Sequence, residues 1–498
     1  MRSTTIHLHT AFHIAPVDPR LFGGFLEHMG RAVYEGVYDP TSTHADADGF
    51  RTDVLDALRR LGFTVVRYPG GNFVSGYHWE DGIGPRDRRP LRIEKAWDSK
   101  EPNRVGTDEF MSLCRTMGWQ PMLAVNLGTG TAEEARNWVE YCNGPTGTPY
   151  GDRRAANGHP EPYGVKLWCL GNEMDGPWQI GHCAAEEYAA RAKAAARLMR
   201  TVDPSIETVA CGSSATQMPT FADWDGRVLE HLEDTADFIS LHRYVGNWTD
   251  DTRNYLAVTN SIDRQIEDID AVARAAQAKR KSDKRVHLSF DEWNVWYKTF
   301  NSDGNSARGQ FPAHLIEEVY NLEDALVVAG FLHSFVRHAD CVKVANLAQI
   351  VNVIAPVLTR GDQLLIQSIF FPIEMFAKRR RGISLRTVVD GPRYRSERYG
   401  EVDEIDCSAI VDGSRLHVFV TNRHLAEAAA VTLTVADRGI ARVDGAEMLT
   451  GPGAKAENSF AEPGVIRSVP FDSVTIETGQ ARMMLPPLSF AAVTLELA

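Results

Sequence analysis

Short apolar runs recur along the first three quarters of the chain. Each is closed by polar residues and followed by a stretch whose apolar positions repeat at helical spacing. The runs centre on Phe22, Val65, Leu123, Leu167, Val209, Ile239, Leu288 and Val344. The helical stretches are Asp53–Leu61, Thr107–Met117, Ala132–Tyr141, Ala184–Arg200, Arg227–Glu233, Ile262–Lys279, Leu322–Arg337 and Gln367–Lys378. A parallel strand buried on both faces reads as a continuous apolar run, and strict βα alternation forces the strands parallel. Eight such units predict a closed (β/α)8 barrel over residues 18–382.

After about residue 383 the texture changes. Alternating runs such as Leu416-His-Val-Phe-Val-Thr and Val431-Thr-Leu-Thr-Val replace the helices, with turns at Asp412-Gly-Ser and Gly451-Pro-Gly between them. This predicts an all-β sandwich. The alternating segment 5–10 has no partner in the barrel, so residues 1–17 are expected to join residues 383–498 in that second domain. The fold class is α/β, a barrel with an added β-sandwich.

In a barrel of this kind the C-terminal strand ends carry the chemistry. Read in order, they are Glu27, Arg67 with Asn72, Asn126, Asn172 with Glu173, Ser213, His242 with Tyr244, Glu292, and Asn346 with Gln349. A purely structural barrel end would not be so consistently polar, because buried polar groups cost free energy unless paired. Two runs share one design: Val165–Leu170 halts at Gly-Asn172-Glu173, and Val286–Phe290 halts at Asp-Glu292. Three strands apart on an eight-strand ring, Glu173 and Glu292 face each other nearly across the pocket. A carboxyl that donates a proton and a carboxylate that attacks are the minimal equipment for cleaving a glycosidic bond with retention. Their expected separation is roughly 5–5.5 Å. Glu27, a third carboxylate, fits a ligand for sugar hydroxyls. Trp79, Trp97, Trp178, Trp248 and Trp296 fall in loops after the strands, where rings can stack on a sugar.

Composition narrows the substrate. Over 498 residues the formal charge is −13, which argues against nucleic acid or an anionic membrane as partner. The seven scattered cysteines have no CxxC spacing and read as free thiols of a reducing compartment. No secretory h-region follows Met1 and no apolar run reaches membrane-spanning length, so a cytoplasmic location is expected.

The motifs Phe22-Gly-Gly-Phe-Leu-Glu27-His-Met-Gly-Arg, Arg67-Tyr-Pro-Gly-Gly-Asn72-Phe, Cys169-Leu-Gly-Asn-Glu173-Met-Asp-Gly-Pro-Trp and Ala345-Asn-Leu-Ala-Gln349-Ile-Val-Asn resemble those of the intracellular bacterial α-L-arabinofuranosidases of glycoside hydrolase family 51. The resemblance covers essentially the whole chain. It implies a retaining exo-acting enzyme that removes terminal α-L-arabinofuranosyl residues from oligosaccharides, with Glu173 as acid/base and Glu292 as nucleophile. It also implies that Glu27, Asn72, Asn172, Tyr244 and Gln349 hold the sugar ring, while Arg67, His242 and Trp296 support the site. A homo-hexamer and no metal or other cofactor follow from the same likeness.

Several features have plainer readings. Arg67 is open between a buried counter-ion and a direct substrate contact. Gly128-Thr-Gly-Thr131 mimics a phosphate loop but lacks GK[ST]; Thr131 with Glu134 reads as a capping box instead. His7, His9 and His13 lack an HExxH-like context for a metal. The basic runs Lys279–Arg285 and Lys378–Arg381 are solvated helix ends. The nearest alternative activities are β-xylosidase and endo-glucanase, and the rival of another class is a non-catalytic carbohydrate-binding protein.

Overall fold

The computed structural model describes residues 2–232, 234–300 and 309–498. The eight barrel strands are Gly23–Phe25, Val65–Tyr68, Gln120–Val125, Leu167–Leu170, Glu207–Ala210, Phe238–Val245, His287–Val295 and Val342–Ala348. They close in sequence order, every neighbour parallel and the eighth pairing with the first. Alternation divides each strand between two cores. Leu167 and Cys169 point inward with Val65, Met122, Ala124, Val209, Phe238 and Val344. Trp168 and Leu170 face the helical ring.

The expected helices form, with ends set by local chemistry. Thr52–Leu61 and Thr107–Met117 stop on Gly62 and Gly118, whose φ of 66° and 70° is the left-handed cap that glycine supplies most cheaply. Asp223–Leu232 occupies the fifth helical position, and Glu233 of the predicted span lies outside the described residues. The last helix is shorter than expected, Phe370–Ala377. One element was not expected. Pro149–Ala156, in what reads as a Gly/Pro-rich loop, is a helix because Thr148 accepts a hydrogen bond from Gly151 N and Pro149 sits at its first position.

Beyond the barrel, two sheets face each other over an apolar core built on Ile6, Leu433, Val418, Val493 and Leu495. In one, Arg2–Leu8 pairs parallel with Ala429–Val435 and antiparallel with Val388–Asp390. The other has seven strands and is centred on Ile405–Asp412, Arg415–Asn422 and Ser489–Leu497. Leu322–Arg337 is buried along almost its whole length because it lies between this sheet and the barrel. Phe376 stacks on Phe419 at 3.8 Å between ring centres, and His333 reaches Ser408 and Thr421, so the two layers share one packed interface. Among the described residues, no helix is long and apolar enough to cross a membrane.

Candidate active site

At the C-terminal end of the barrel lies a cavity of about 560 Å³. Its lining includes Glu27, Asn72, Glu173, His242, Tyr244, Glu292, Trp296 and Gln349, eight of the ten residues singled out in the sequence. Trp97, Trp178 and Trp248 also line it. Trp79 does not: it is buried, lies parallel to Trp138 at 6.0 Å, and donates to Glu134 O, so it belongs to the helical ring.

Glu173 follows the fourth strand through Gly171, and its own φ is 43°, left-handed for a residue that carries a Cβ. Such strain persists only where the surroundings over-determine it. Here both carboxylate oxygens are held: Oε1 lies 2.8 Å from His242 Nδ1, and Oε2 accepts from Trp178 Nε1 at 2.6 Å. Glu292 is held from the other side. Its Oε1 accepts from Arg67 Nη1 at 2.6 Å and its Oε2 from the Tyr244 hydroxyl at 2.9 Å. Gly71 passes so close that a Cβ there would stand 2.7 Å from Glu292 Oε1, which accounts for the glycine beside Asn72. One oxygen of each carboxylate and a ring nitrogen of His242 lie within 4.8 Å of one another.

The seventh strand makes this possible by a bulge. Ser240 pairs with Ser289 and His242 with Glu292, so the seventh strand spends three residues where the sixth spends two. The extra residue breaks the alternation, and Asp291 as well as Glu292 reaches the barrel axis. Asp291 Oδ1 accepts from Ser240 Oγ at 2.5 Å and lies 3.3 Å from His242 Nε2, while Oδ2 lies 3.6 Å from Arg67 Nε. Asp291 was not picked out in the sequence. The available signal was a pair of adjacent acids ending a buried apolar run, where only one can follow the strand's inward face unless the strand is bulged.

Arg67 and Asn172 lie beneath the cavity instead of on its wall. Arg67 is 1% exposed and ties Glu292 to Asn172 Oδ1 at 2.7 Å. Of its two readings, the buried counter-ion fits this position. Asn172, also buried, offers its amide nitrogen to Asn72 and Gln179 at 3.5 and 3.4 Å. The other polar strand ends serve the scaffold. Asn126 Oδ1 accepts from the backbone N–H groups of Gly128, Thr129 and Gly130, so the loop that mimics a phosphate cradle binds its own side chain. Ser213 is held by Asp225, and Asn346 donates to Gly24 O. Thr131 caps the next helix, but the Glu134 carboxylate turns to His78 and leaves the capping box half made.

Charge orders the site. Burial would lower the His242 pKa, but Glu292, Asp291 and Glu173 outweigh it and raise the pKa well above the ordinary value. The His242 Nδ1 faces Glu173 Oε1 and its Nε2 faces Asp291 Oδ1, so both ring nitrogens meet carboxylates. Asp291 is held below the carboxylate range against the cost of burial by Arg67, His242 and Ser240. Glu27 moves the other way: burial and then the Glu292 charge push it up to about 7, opposed by hydrogen bonds from Phe73 N and Trp97 Nε1. Gln349 closes on Glu27 from the eighth strand, accepting from its N at 2.8 Å and donating to Oε2 at 3.2 Å. Among the described residues, Glu173, His242 and Glu292 also stand at the spacing that ligands of a cation would take.

Comparison with known proteins places the chain among sugar-cleaving enzymes. Residues 57–260 match the alpha-L-arabinofuranosidase 1 domain, and residues 291–489 match the alpha-L-arabinofuranosidase C-terminal domain. An intracellular exo-α-(1→5)-L-arabinofuranosidase of Halalkalibacterium halodurans is 45% identical over 428 residues, covering 85% of this chain and 86% of that protein. An exo-α-(1→6)-L-arabinofuranosidase of Bifidobacterium longum is 42% identical over 97% of this chain and 95% of its own length. Among solved structures, a family 51 α-L-arabinofuranosidase from Bifidobacterium longum superimposes with a TM-score of 0.95 at 37% identity, covering 100% of both chains. The α-L-arabinofuranosidase from Thermotoga maritima, solved as an arabinose complex, gives 0.88 at 34% identity over 99% of this chain and 100% of its own.

Proposed function

The chain belongs to the α-L-arabinofuranosidases of glycoside hydrolase family 51, a retaining exo-acting family, and on that premise we propose how its residues divide the work and what it acts on. The observation that carries the assignment is the pairing of Glu173 and Glu292 across His242 within 4.8 Å.

Glu292 is the nucleophile. Arg67 donates to Oε1, so Oε2, held by the Tyr244 hydroxyl, is the freer oxygen to attack the anomeric carbon. Glu173 is the acid/base. Its Oε1 faces His242 Nδ1 and its Oε2 accepts from Trp178 Nε1. In the first step Glu292 forms an ester to the anomeric carbon, the glycosidic bond breaks, and the Glu173 proton passes to the departing oxygen. In the second, ionised Glu173 takes a proton from water, the resulting hydroxyl bonds to the anomeric carbon, and Glu292 leaves as a carboxylate. Glu27, Asn72, Gln349 and Trp296 hold the ring hydroxyls; the buried Trp296 Nε1 has no partner among the described residues and is available to one of them. Arg67, Asn172 and His242 position the two carboxylates from below.

The catalytic unit is the barrel of residues 18–382, with residues 1–17 and 383–498 as the companion sandwich. The substrate is a terminal arabinofuranosyl residue on an oligosaccharide of arabinan or hemicellulose. Relatives named for (1→5) and for (1→6) cleavage both support that class. Their description as intracellular supports a cytoplasmic location, and the family likeness supports a homo-hexamer. A panel of nitrophenyl glycosides tests the reading. The α-L-arabinofuranoside should be turned over at least about a hundredfold more efficiently than the β-D-xyloside or β-D-cellobioside, given what a mismatched hydroxyl pattern costs in a polar pocket. Equal or better turnover of the xyloside would replace this assignment with β-xylosidase.

A further inference from the structure

A second pocket, of about 230 Å³, opens beside the catalytic cavity. The loop after the fifth strand separates them: Ser214, Ala215 and Gln217 face the cavity, while Thr216 faces the pocket. Its inner wall is Arg243, which the sequence places between His242 and Tyr244 on the sixth strand. Arg243 lines the catalytic cavity as well as this pocket, and its side chain bonds to Thr216 Oγ1 and, at 2.8 Å, to Ser261 Oγ on helix Thr259–Arg280.

Arg243 is 8% exposed, and its buried Nε has no hydrogen-bond partner among the described residues. Both of its hydrogen bonds go to neutral hydroxyls, and among the described residues none goes to a carboxylate. This contrasts with Arg67, whose guanidinium meets Glu292 and Asp291. A buried guanidinium without a counter-charge is costly. The groups nearest it make matters worse: Arg264 and Arg398 stand on the rim, against the single carboxylate of Asp268 and the Tyr399 hydroxyl. Burial, and then the Arg398 charge, lower the Arg243 pKa, with Tyr399 opposing. A group that carries two acceptor oxygens and a negative charge supplies what this wall lacks, since guanidinium forks match carboxylate and phosphate geometry.

We propose that this pocket is an oxyanion-binding site, in which a carboxylate or phosphate group sits between Arg243, Arg264 and Arg398 beside the catalytic cavity. Two sources fit the chemistry: an acidic sugar unit on the substrate's leaving side, or a free anion.

Calorimetric titration of the intact chain with inorganic phosphate, at constant ionic strength, tests the site without relying on turnover. Saturable binding is expected, weakened at least about tenfold in Arg264→Ala/Arg398→Ala, because hydrogen bonds to charged groups contribute enough for that factor. Both arginines are surface residues, so folding and turnover of a nitrophenyl arabinofuranoside should be kept. Arg243→Met, checked for an unchanged circular dichroism spectrum, should abolish binding. No saturable binding, or binding unchanged in the double variant, overturns the site. The source is read by comparing glucuronate with an arabinofuranosyl-glucuronate disaccharide on the Glu292→Ala protein. Tighter binding of the disaccharide identifies the glycan, and equal binding identifies a free anion. If neither carboxylate competes with phosphate, a site for carboxylates is excluded.

Discussion

Two histidines, both buried, have their pKa moved in opposite directions in two regions of this molecule. His242 in the catalytic centre has its pKa raised well above the ordinary value, whereas burial lowers His333, at the junction of barrel and sandwich, to about 3. The immediate contacts explain part of this. His242 meets Glu173 and Asp291, while His333 meets two hydroxyls, Ser408 Oγ at 2.8 Å and Thr421 Oγ1 at 3.0 Å, which satisfy a neutral ring in either tautomer. The wider balance explains the rest. Around His242 three carboxylates face one guanidinium, that of Arg67. Around His333 the acids are already answered: Arg337 bridges Asp406 and Asp263, and Arg423 also binds Asp406. Burial penalises charge in both places, and the direction of the outcome is set by whether negative charge is left uncompensated. The structural interface neutralises itself. The catalytic centre keeps an excess of acids, and that excess raises the His242 pKa.

The contrast can be broken most severely at Arg67. Arg67→Met leaves Glu292 and Asp291 buried without their cation, so unfolding free energy should fall by about 3–5 kcal/mol. Turnover should fall by a factor on the order of 10²–10³, since an oriented charge at the reacting group is lost. Thermal unfolding with steady-state kinetics reads both. An unchanged midpoint would mean that the carboxylates find another partner.

Next in size is the paired substitution of the two rings by glutamine. His242→Gln should lower kcat by roughly a hundredfold, because a fixed charged donor to Glu173 becomes a neutral one. His333→Gln should leave kcat unchanged and cost about 1–3 kcal/mol of stability, the range for disturbing buried hydrogen bonds. Kinetics and urea unfolding of the two variants separate the effects, and a loss of kcat in His333→Gln would dissolve the distinction between the regions.

The smallest effect is a pH dependence. The folded-state pKa of His333 lies below that of the unfolded chain, about 6.5. Its contribution is therefore full above that value and is lost as pH falls toward 3. Asp263, which Arg337 and His338 hold down at about 2 against the cost of burial, loses its contribution in the same direction. Only a comparison of variants isolates this effect, because Glu27, raised to about 7, gains stability as pH falls through the same window. The gap between wild type and His333→Gln should narrow over that window, because the variant no longer has the ring to protonate. A gap that widened on acidification would reverse the assigned direction.

Much of this was legible beforehand for identifiable reasons. Strands such as Leu167–Leu170 are buried on both faces, so their apolar runs stand out, and amphipathic helices such as Thr52–Leu61 carry an unmistakable stripe. Position in the fold then brought the polar strand ends together, and Glu27, Glu173, Glu292 and Gln349, hundreds of residues apart, meet in one cavity. What escaped depended on three-dimensional detail. The bulge that turns Asp291 inward leaves no mark on an apolar run. Whether Arg67 and Asn172 sit on the cavity wall or beneath it depends on side-chain depth, which periodicity does not encode. Trp79 and Trp178 both follow barrel strands, yet one packs on Trp138 while the other binds Glu173. Arg243 sits in the same strand as two residues of the cavity, and only its lack of an acid partner sets it apart.

The central claim is that the two glutamates, held from opposite sides by His242 and Arg67, perform different steps. Its most direct test is the rate of Glu173→Ala and Glu292→Ala on aryl α-L-arabinofuranosides of graded leaving-group acidity. Glu173→Ala should cleave the most acidic leaving groups at close to the wild-type rate for the first step and lose about 10²–10⁴-fold on the least acidic, the span of general acid assistance. Glu292→Ala should be inactive across the whole series. The same dependence in both variants, or activity of Glu292→Ala toward the best leaving group, would contradict the division of roles.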